Sequence, residues 1–335
     1  MIKNDTFLSE SNLYKNIIER QLFQCIYRIQ KNKKSFKIAA LENCIPILDW
    51  WLTERIIGKT QKALDYSSSV IDHASYYMKI NVLNWWFENA IKYPNIIQLR
   101  YSDYVINYSS YCGTPVILDW WFYNALKYPN IVTFKYSMSA IDYASLNRNI
   151  DILNWWLAKA IEYPNIIILK YSKTALDYAS LDDNLNILNW WLENALKYPN
   201  LIELKYSDKA MEIASTRNNI LVLNWWFENS KKYPNLIKLK YSKNAIDNSY
   251  KFPSALDWWK NSGLQLEYSD QALYNAVQQG AFDTFKWWFQ SGLPIKLSQS
   301  TIDYLNYCKN NLWEYADQQQ KIYNWLNTEN FSNYF

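Results

Sequence analysis

The chain has 335 residues, half of them hydrophobic and 18% aromatic, with only five glycines. It is too apolar for disorder and too poor in glycine for a fold of many tight turns or a glycine-built phosphate loop. Lysine and arginine number 35 against 31 acidic residues, a net charge of +4, which by itself predicts no nucleic-acid partner.

Residues 1–34 open with a polar stretch of mixed charge, in which neither a signal peptide nor a membrane span is expected. Leu13, Ile17, Ile18, Leu22 and Ile26 follow helical spacing and predict one amphipathic helix from about Asn12 to Gln30. It is read as a terminal cap, with a docking helix for a ubiquitin-ligase adaptor as the sharper alternative. The cysteines Cys25, Cys44, Cys112 and Cys308 lack paired spacing and are read as reduced thiols of an intracellular, cytoplasmic protein.

From residue 35 to 329 the chain repeats itself. A tryptophan pair occurs at Trp50-Trp51, Trp85-Trp86, Trp120-Trp121, Trp155-Trp156, Trp190-Trp191 and Trp225-Trp226, each step 35 residues, then at Trp258-Trp259 and Trp287-Trp288 with steps of 33 and 29. A fixed period in this range predicts a repeat architecture. In the repeat from Tyr171 to Lys205, Tyr171–Ser180 is predicted as a first helix with Ser172 as N-cap and the small Ala175 and Ala179 on one face. Leu185, Leu188, Trp191, Leu192, Ala195 and Leu196 form the apolar stripe of a second helix.

The break between the helices is marked by Gly113 and Gly280, seven residues before their pairs, and by Asn149, Asn184 and Asn219, six before; these residue types reach left-handed backbone angles cheaply. Pro115, preceded by Thr114 as N-cap, suits the first position of the second helix. That helix should stop near the Tyr of Lys-Tyr-Pro-Asn (Lys92–Asn95 and its equivalents), because proline disfavours helical geometry in the residue before it. An extended connector follows, shortened after Asn261 and Gln290. The last segment keeps Ile302-Asp303-Tyr304 and a single Trp325, and 330–335 is a tail. The expected fold is an all-α repeat solenoid of about nine helix-turn-helix units with a terminal capping helix.

These motifs resemble those of divergent ankyrin-repeat proteins carrying Tyr-Ser-x-x-Ala-x-Asp-x-Ala-Ser and Asp/Asn-Trp-Trp, the type found in giant DNA viruses and amoebae. Ala210–Ala214 corresponds to that family's first helix and Trp225-Trp226 to its paired leucines, whereas its Thr-Pro-Leu-His signature is absent. The resemblance implies a protein-binding scaffold.

The tryptophans Trp85, Trp86, Trp120, Trp121, Trp155, Trp156, Trp190, Trp191, Trp225 and Trp226 are read as core rather than as stacking platforms for a ligand. An acidic column, Asp72, Asp142, Asp177, Glu212 and Asp247, is interrupted by Asn107. It has two readings: solvated faces with hydrogen bonds between units, or the lining of a partner groove. The basic column Arg100, Lys135, Lys170, Lys205 and Lys240 is a candidate partner contact, as are Asp103, Met138, Lys173, Asp208 and Lys243 at one position of the first helix. Gln98, Thr133, Ile168, Glu203 and Lys238 share an equivalent connector position.

Catalysis finds little support. The single histidine, His73, stands in a first helix, and Gly58-Lys59-Thr60 lacks the first glycine of a phosphate loop because Thr53 occupies its place. No cofactor or metal is expected. The expected function is a monomeric, non-catalytic scaffold binding another protein, with single-stranded nucleic acid as the second-ranked partner.

Overall fold

The computed structural model describes residues 43–46, 48–49, 52–53, 66–112, 114–181, 183, 185–295, 297–310 and 317–328. The helix expected at 12–30, the first tryptophan pair, Gly58–Thr60, Gly113, Asn184 and the tail lie outside them. Among the described residues there are sixteen helices and no strand. They come as consecutive pairs: α1 Ser69–Tyr76 and α2 Ile80–Lys92; α3 Val105–Cys112 and α4 Pro115–Lys127; α5 Ser139–Leu146 and α6 Ile150–Glu162; α7 Thr174–Ala179 and α8 Asn186–Lys197; α9 Lys209–Thr216 and α10 Ile220–Lys232. The pairs α11 Asn244–Asp247 with α12 Pro253–Asn261, α13 Gln271–Gln278 with α14 Phe282–Gln290, and α15 Gln299–Asn310 with α16 Asp317–Thr328 follow.

These pairs form two compact bodies, the first running to Asn147 and taking in Asp151–Tyr171, the second holding Arg148–Ile150 and the chain from Ser172. In the first body α1, α3 and α5 pack side by side in order, with α2 on α1 and α4 on α3. In the second body α7, α9, α11, α13 and α15 do the same, with α8 on α7, α10 on α9, α14 on α13 and α16 on α15. Close approach of the first helices is possible because their contact positions are small: Ala74 and Ala144 in one body, and Ala175, Ala210, Ala214, Ala245 and Ala276 in the other, are buried.

Each tryptophan pair divides its labour. The second ring, in Trp86, Trp121, Trp156, Trp191, Trp226, Trp259 and Trp288, is fully buried, while the first ring sits at the edge of the core and is half-buried in Trp120, Trp258 and Trp287. The two rings meet edge to face at 4.9–5.2 Å. At about 25 cal/mol per Å² over 150–250 Å², each buried ring contributes about 4–6 kcal/mol as an upper bound.

The turn between paired helices falls where expected at Gly280, seven residues before its pair, but one residue before the expected Asn149 and Asn219. Left-handed backbone falls seven residues before a tryptophan pair on Met78 (φ 54°), Arg148 (φ 59°), Asn218 (φ 57°) and Gly280 (φ 64°). The next residue donates back across the helix end, Lys79 N–H to Ala74 O and Asn219 N–H to Ala214 O, closing a Schellman motif. Asn219, six before its pair, instead begins the second helix, its side chain accepting from Val222 N–H at 3.2 Å. Helix starts shift as well: α7 begins at Thr174 rather than near Tyr171, although Ser172 Oγ still accepts from Thr174 N–H. Thr114 is an N-cap whose hydroxyl turns to Met78 Sδ and caps nothing, while Pro115 does occupy the first position of α4.

The long second helices end on Tyr93, Tyr128, Tyr198 and Tyr233, each donating its N–H to an Asn carbonyl one turn back. In the shortened repeats the stop is made by Gly263 (φ 74°) and Gly292 (φ 71°). A left-handed glycine reverses the chain in fewer residues than a Pro-Asn turn.

Candidate interaction surface

The motif residues are committed to bonds between or within repeats, which separates them from residues free to meet a partner. The Asp or Asn before each pair accepts from the first Trp of the next repeat: Trp85 Nε1 donates to Asp49, Trp120 to Asn84, Trp155 to Asp119, Trp225 to Asn189, Trp258 to Asn224 and Trp287 to Asp257, at 2.6–2.8 Å. The second Trp donates to a serine at the end of the first helix of the preceding repeat, Trp121 to Ser75, Trp156 to Ser110, Trp226 to the C-cap Ser180 and Trp259 to Ser215. Sequence reading saw the Asp/Asn and the Ser as motif letters without seeing what they do.

The Tyr of each Tyr-Ser closes its own repeat. Tyr101, Tyr136 and Tyr206 lie on the second Trp at 4.6 Å. Their hydroxyls both donate to the carbonyl and accept from the N–H of one connector residue: Thr133, Ile168 and Lys238. Those connector positions are thereby fixed in backbone and leave only their side chains outward. Burial pushes the phenols of Tyr136, Tyr206, Tyr241 and Tyr268 up, and Tyr66 up to about 12.

The acidic column is a set of latches rather than a groove lining. Asp177 accepts from Ser207 N–H at 2.8 Å and Ser207 Oγ–H at 2.6 Å, and Asp247 does the same for Ser269. Asp72 accepts from Ser102 N–H. Asn107 is no interruption: its Oδ1 accepts from Ser137 N–H while its Nδ2 donates to Ser137 Oγ. Burial raises the Asp247 carboxyl above its usual range although Ser269 pulls it down. Glu212 breaks the series; one methylene longer, it takes Asn248 Nδ2 at 3.1 Å, and Ser242 Oγ is left buried with no partner among the described residues.

The basic column is exposed except for half-buried Lys205, yet several members lie on their own protein. Arg100 stands over Tyr66, Lys170 over Tyr136 at 4.7 Å and Lys240 over Tyr206 at 4.4 Å. Lys135 pairs with Asp103 at 3.6 Å, an exposed contact of small energetic weight. Met138, Lys173, Asp208 and Lys243 occupy the N-cap positions of α5, α7, α9 and α11, and none of their side chains caps the helix.

The exposed apolar surface is unevenly shared. Among the described residues eighteen large hydrophobic side chains are exposed; thirteen, from Tyr77 to Ile168, belong to the first body and five to the second. Most coherent are the tyrosines on the outer face of α1, α3 and α5. Tyr76 meets Tyr77 at 4.9 Å and Tyr108 at 6.0 Å, Tyr104 meets Tyr108 at 6.1 Å, and Tyr111 meets Tyr143 at 5.7 Å. A cleft of about 340 Å³ opens there, lined by Asp72, His73, Tyr76, Tyr77 and Tyr108. Spacing does not single out these tyrosines, because the face they share forms only where the first helices pack.

Lys159 stands where other repeats carry Asn89, Asn124, Asn194 and Asn229, whose amides bond the first Trp carbonyl. Its ammonium donates to Tyr123 and Glu162 and lies 4.9–5.6 Å from the rings of Phe122, Tyr123 and Tyr163. Burial pulls its pKa down, but the hydrogen bonds to Tyr123 and Glu162 together with their charge attraction outweigh it and the net shift is upward.

No group of three or more potential metal-binding side chains occurs among the described residues, and no helix there is long and apolar enough to cross a membrane. No family model matches the chain, and no curated protein matches it.

Proposed function

We propose that the chain is a non-catalytic scaffold, an ankyrin-like solenoid that works as a monomer inside the cell and holds a partner protein on the tyrosine face of α1, α3 and α5. The observation that carries this reading is the cluster of exposed tyrosines on that face, Tyr77, Tyr104, Tyr108 and Tyr111, in the body that holds thirteen of the eighteen exposed large hydrophobic side chains, on repeats whose periodic residues are already bonded internally. A contiguous exposed apolar patch on a well-packed chain marks an interaction site, and tyrosine is suited to it because it offers a large contact area, few rotatable bonds and a polar end. The nucleic-acid reading draws less support, since Lys170 and Lys240 lie over the protein's own tyrosines.

The test is capture from lysate with and without nuclease, comparing the native chain with Tyr104→Ser/Tyr108→Ser/Tyr111→Ser. A protein retained through nuclease treatment and lost with the triple variant supports the scaffold reading. Capture that collapses under nuclease, or that survives the triple variant, overturns it.

A further inference from the structure

Residues that hold a repeat together recur at its period, so a cluster found once answers to a different constraint. The cleft between α1 and α3 is such a cluster. Its aromatic walls stand at right angles, Tyr76 to Tyr77 at 82° and Tyr76 to Tyr108 at 84°. Asp72 lines it with a carboxylate; one oxygen accepts from Ser102 N–H at 2.9 Å, and the other has no hydrogen-bond partner among the described residues. His73 Nδ1 lies 2.5 Å from Ser69 O, a contact in which the ring nitrogen donates to the carbonyl.

The next repeat does not reproduce this set: Asn107 replaces the carboxylate and Cys112 stands in place of Tyr77. Later first helices carry Glu212-Ile213 and Asp247-Asn248 instead. Perpendicular electron-rich ring faces with one anionic group are the surroundings that favour a soft, weakly hydrated cation. The chain already holds one ammonium in this manner, Lys159 among Phe122, Tyr123 and Tyr163. That cage is closed by its own lysine; the cleft at Tyr76 is open and of a volume that admits a small group.

We propose that this cleft binds an alkylammonium cation, specifically the methylated side chain of a lysine in the partner protein. The lysine source rests on the partner-binding reading above; the cation site does not. Methylation weakens the hydration that otherwise holds an ammonium in water, so the rings favour the methylated form, and the Asp72 carboxylate adds charge complementarity without a proton transfer.

The full chain is titrated, by calorimetry and by following tyrosine ring resonances, with tetramethylammonium, with choline, and with three peptides identical except for dimethyl-lysine, lysine or neutral norleucine at one position. The expected result is binding of tetramethylammonium and of the dimethyl-lysine peptide, the latter about tenfold tighter than the norleucine peptide. Asp72→Asn and Tyr108→Leu should each weaken both by about tenfold. Asp72→Asn keeps the acceptor for Ser102, as Asn107 does for Ser137, so its Tm should not move and a folding defect is separated from a binding defect.

Equal affinity for the norleucine peptide, or full affinity in Asp72→Asn, overturns the cation site. Binding of tetramethylammonium and choline without any peptide upholds the site and overturns the lysine source. Cation binding retained in a chain that captures no protein from lysate overturns the scaffold reading and leaves this one standing.

Discussion

The two bodies are built from one motif and present different faces. At the residue after the latch position, the first body has His73, Tyr108 and Tyr143, while the second, beyond Tyr178, has Ile213, Asn248 and Asn275. The amides of the second body are used up internally: Asn275 Nδ2 donates to Asp247 O and to Asn248 Oδ1, and Asn248 donates to Glu212. The tyrosines of the first body instead lean on one another by ring contact and keep much of their area exposed; Tyr104 is 62% and Tyr108 42% accessible. An amide has donors and acceptors to satisfy and so stitches neighbouring helices together, whereas an exposed phenol ring offers area that only a partner can cover. One repeat motif therefore presents a sealed face in the second body and an open one in the first.

The comparison requires that the shared core be equivalent in both bodies. Trp121→Ala and Trp226→Ala should each cost about 3–5 kcal/mol in denaturant unfolding, the range for a fully buried Trp or Phe truncated to Ala. A large inequality between them would show that the repeats are not energetically alike. On the faces the expectation reverses. Tyr104→Ser/Tyr108→Ser should lower partner capture by about tenfold or more, the loss of a tyrosine hot spot, whereas Asn248→Ser should leave capture unchanged and lower Tm. Equal effects on capture would break the distinction between an open and a sealed face.

A smaller effect tests the latch series. Glu212→Asp should let the shortened carboxylate reach Ser242 as Asp177 reaches Ser207, adding about 0.5–1.5 kcal/mol to unfolding stability; no gain would mean that the unpartnered Ser242 hydroxyl has another cause. At the inter-helix turn, Met78→Gly removes a left-handed non-glycine residue and should stabilise by up to about 1 kcal/mol. Gly280→Ala should do the opposite, because its φ is 64° and an added Cβ would stand 2.8 Å from Gln318 Cβ.

The smallest effect is on pH dependence. Burial raises the Asp247 carboxyl above its ordinary value of 3.8. Its protonated form is therefore favoured in the folded state. Its contribution to stability is full below the unfolded pKa and is lost as pH rises through the raised folded value. Asp247→Asn retains an acceptor for Ser269 N–H and should flatten the slope of the urea midpoint across this acid window; an unchanged slope would assign it to other carboxylates.

Much of this was legible in the chain. The 35-residue period, the paired helices, their stop at Tyr-Pro and the absence of strands among the described residues all follow from spacing, because helix periodicity and proline stereochemistry are local. The left-handed turn was legible at Gly280, whereas at Arg148 it lies one residue before the expected Asn149, because Arg148 carries no local signal for it; the Schellman bonds of the whole turn impose that geometry at Met78 and Asn218 as well. For the acidic column the sequence offered hydrogen bonds between units as one of two readings but could not choose, since Asp177 and Ser207 are thirty residues apart and only packing of α7 on α9 decides that the carboxylate faces a neighbour rather than water. The cleft at Tyr76 belongs to the same class. Its five residues come from α1, the residue that follows it and α3, and the contact of Tyr76 with Tyr108 exists only once α1 lies against α3. By itself the sequence determined the repeat and its apolar stripe, properties of one chain segment at a time. The tertiary structure decided which polar and aromatic groups are consumed between repeats and which remain for a partner, because that depends on distances between segments.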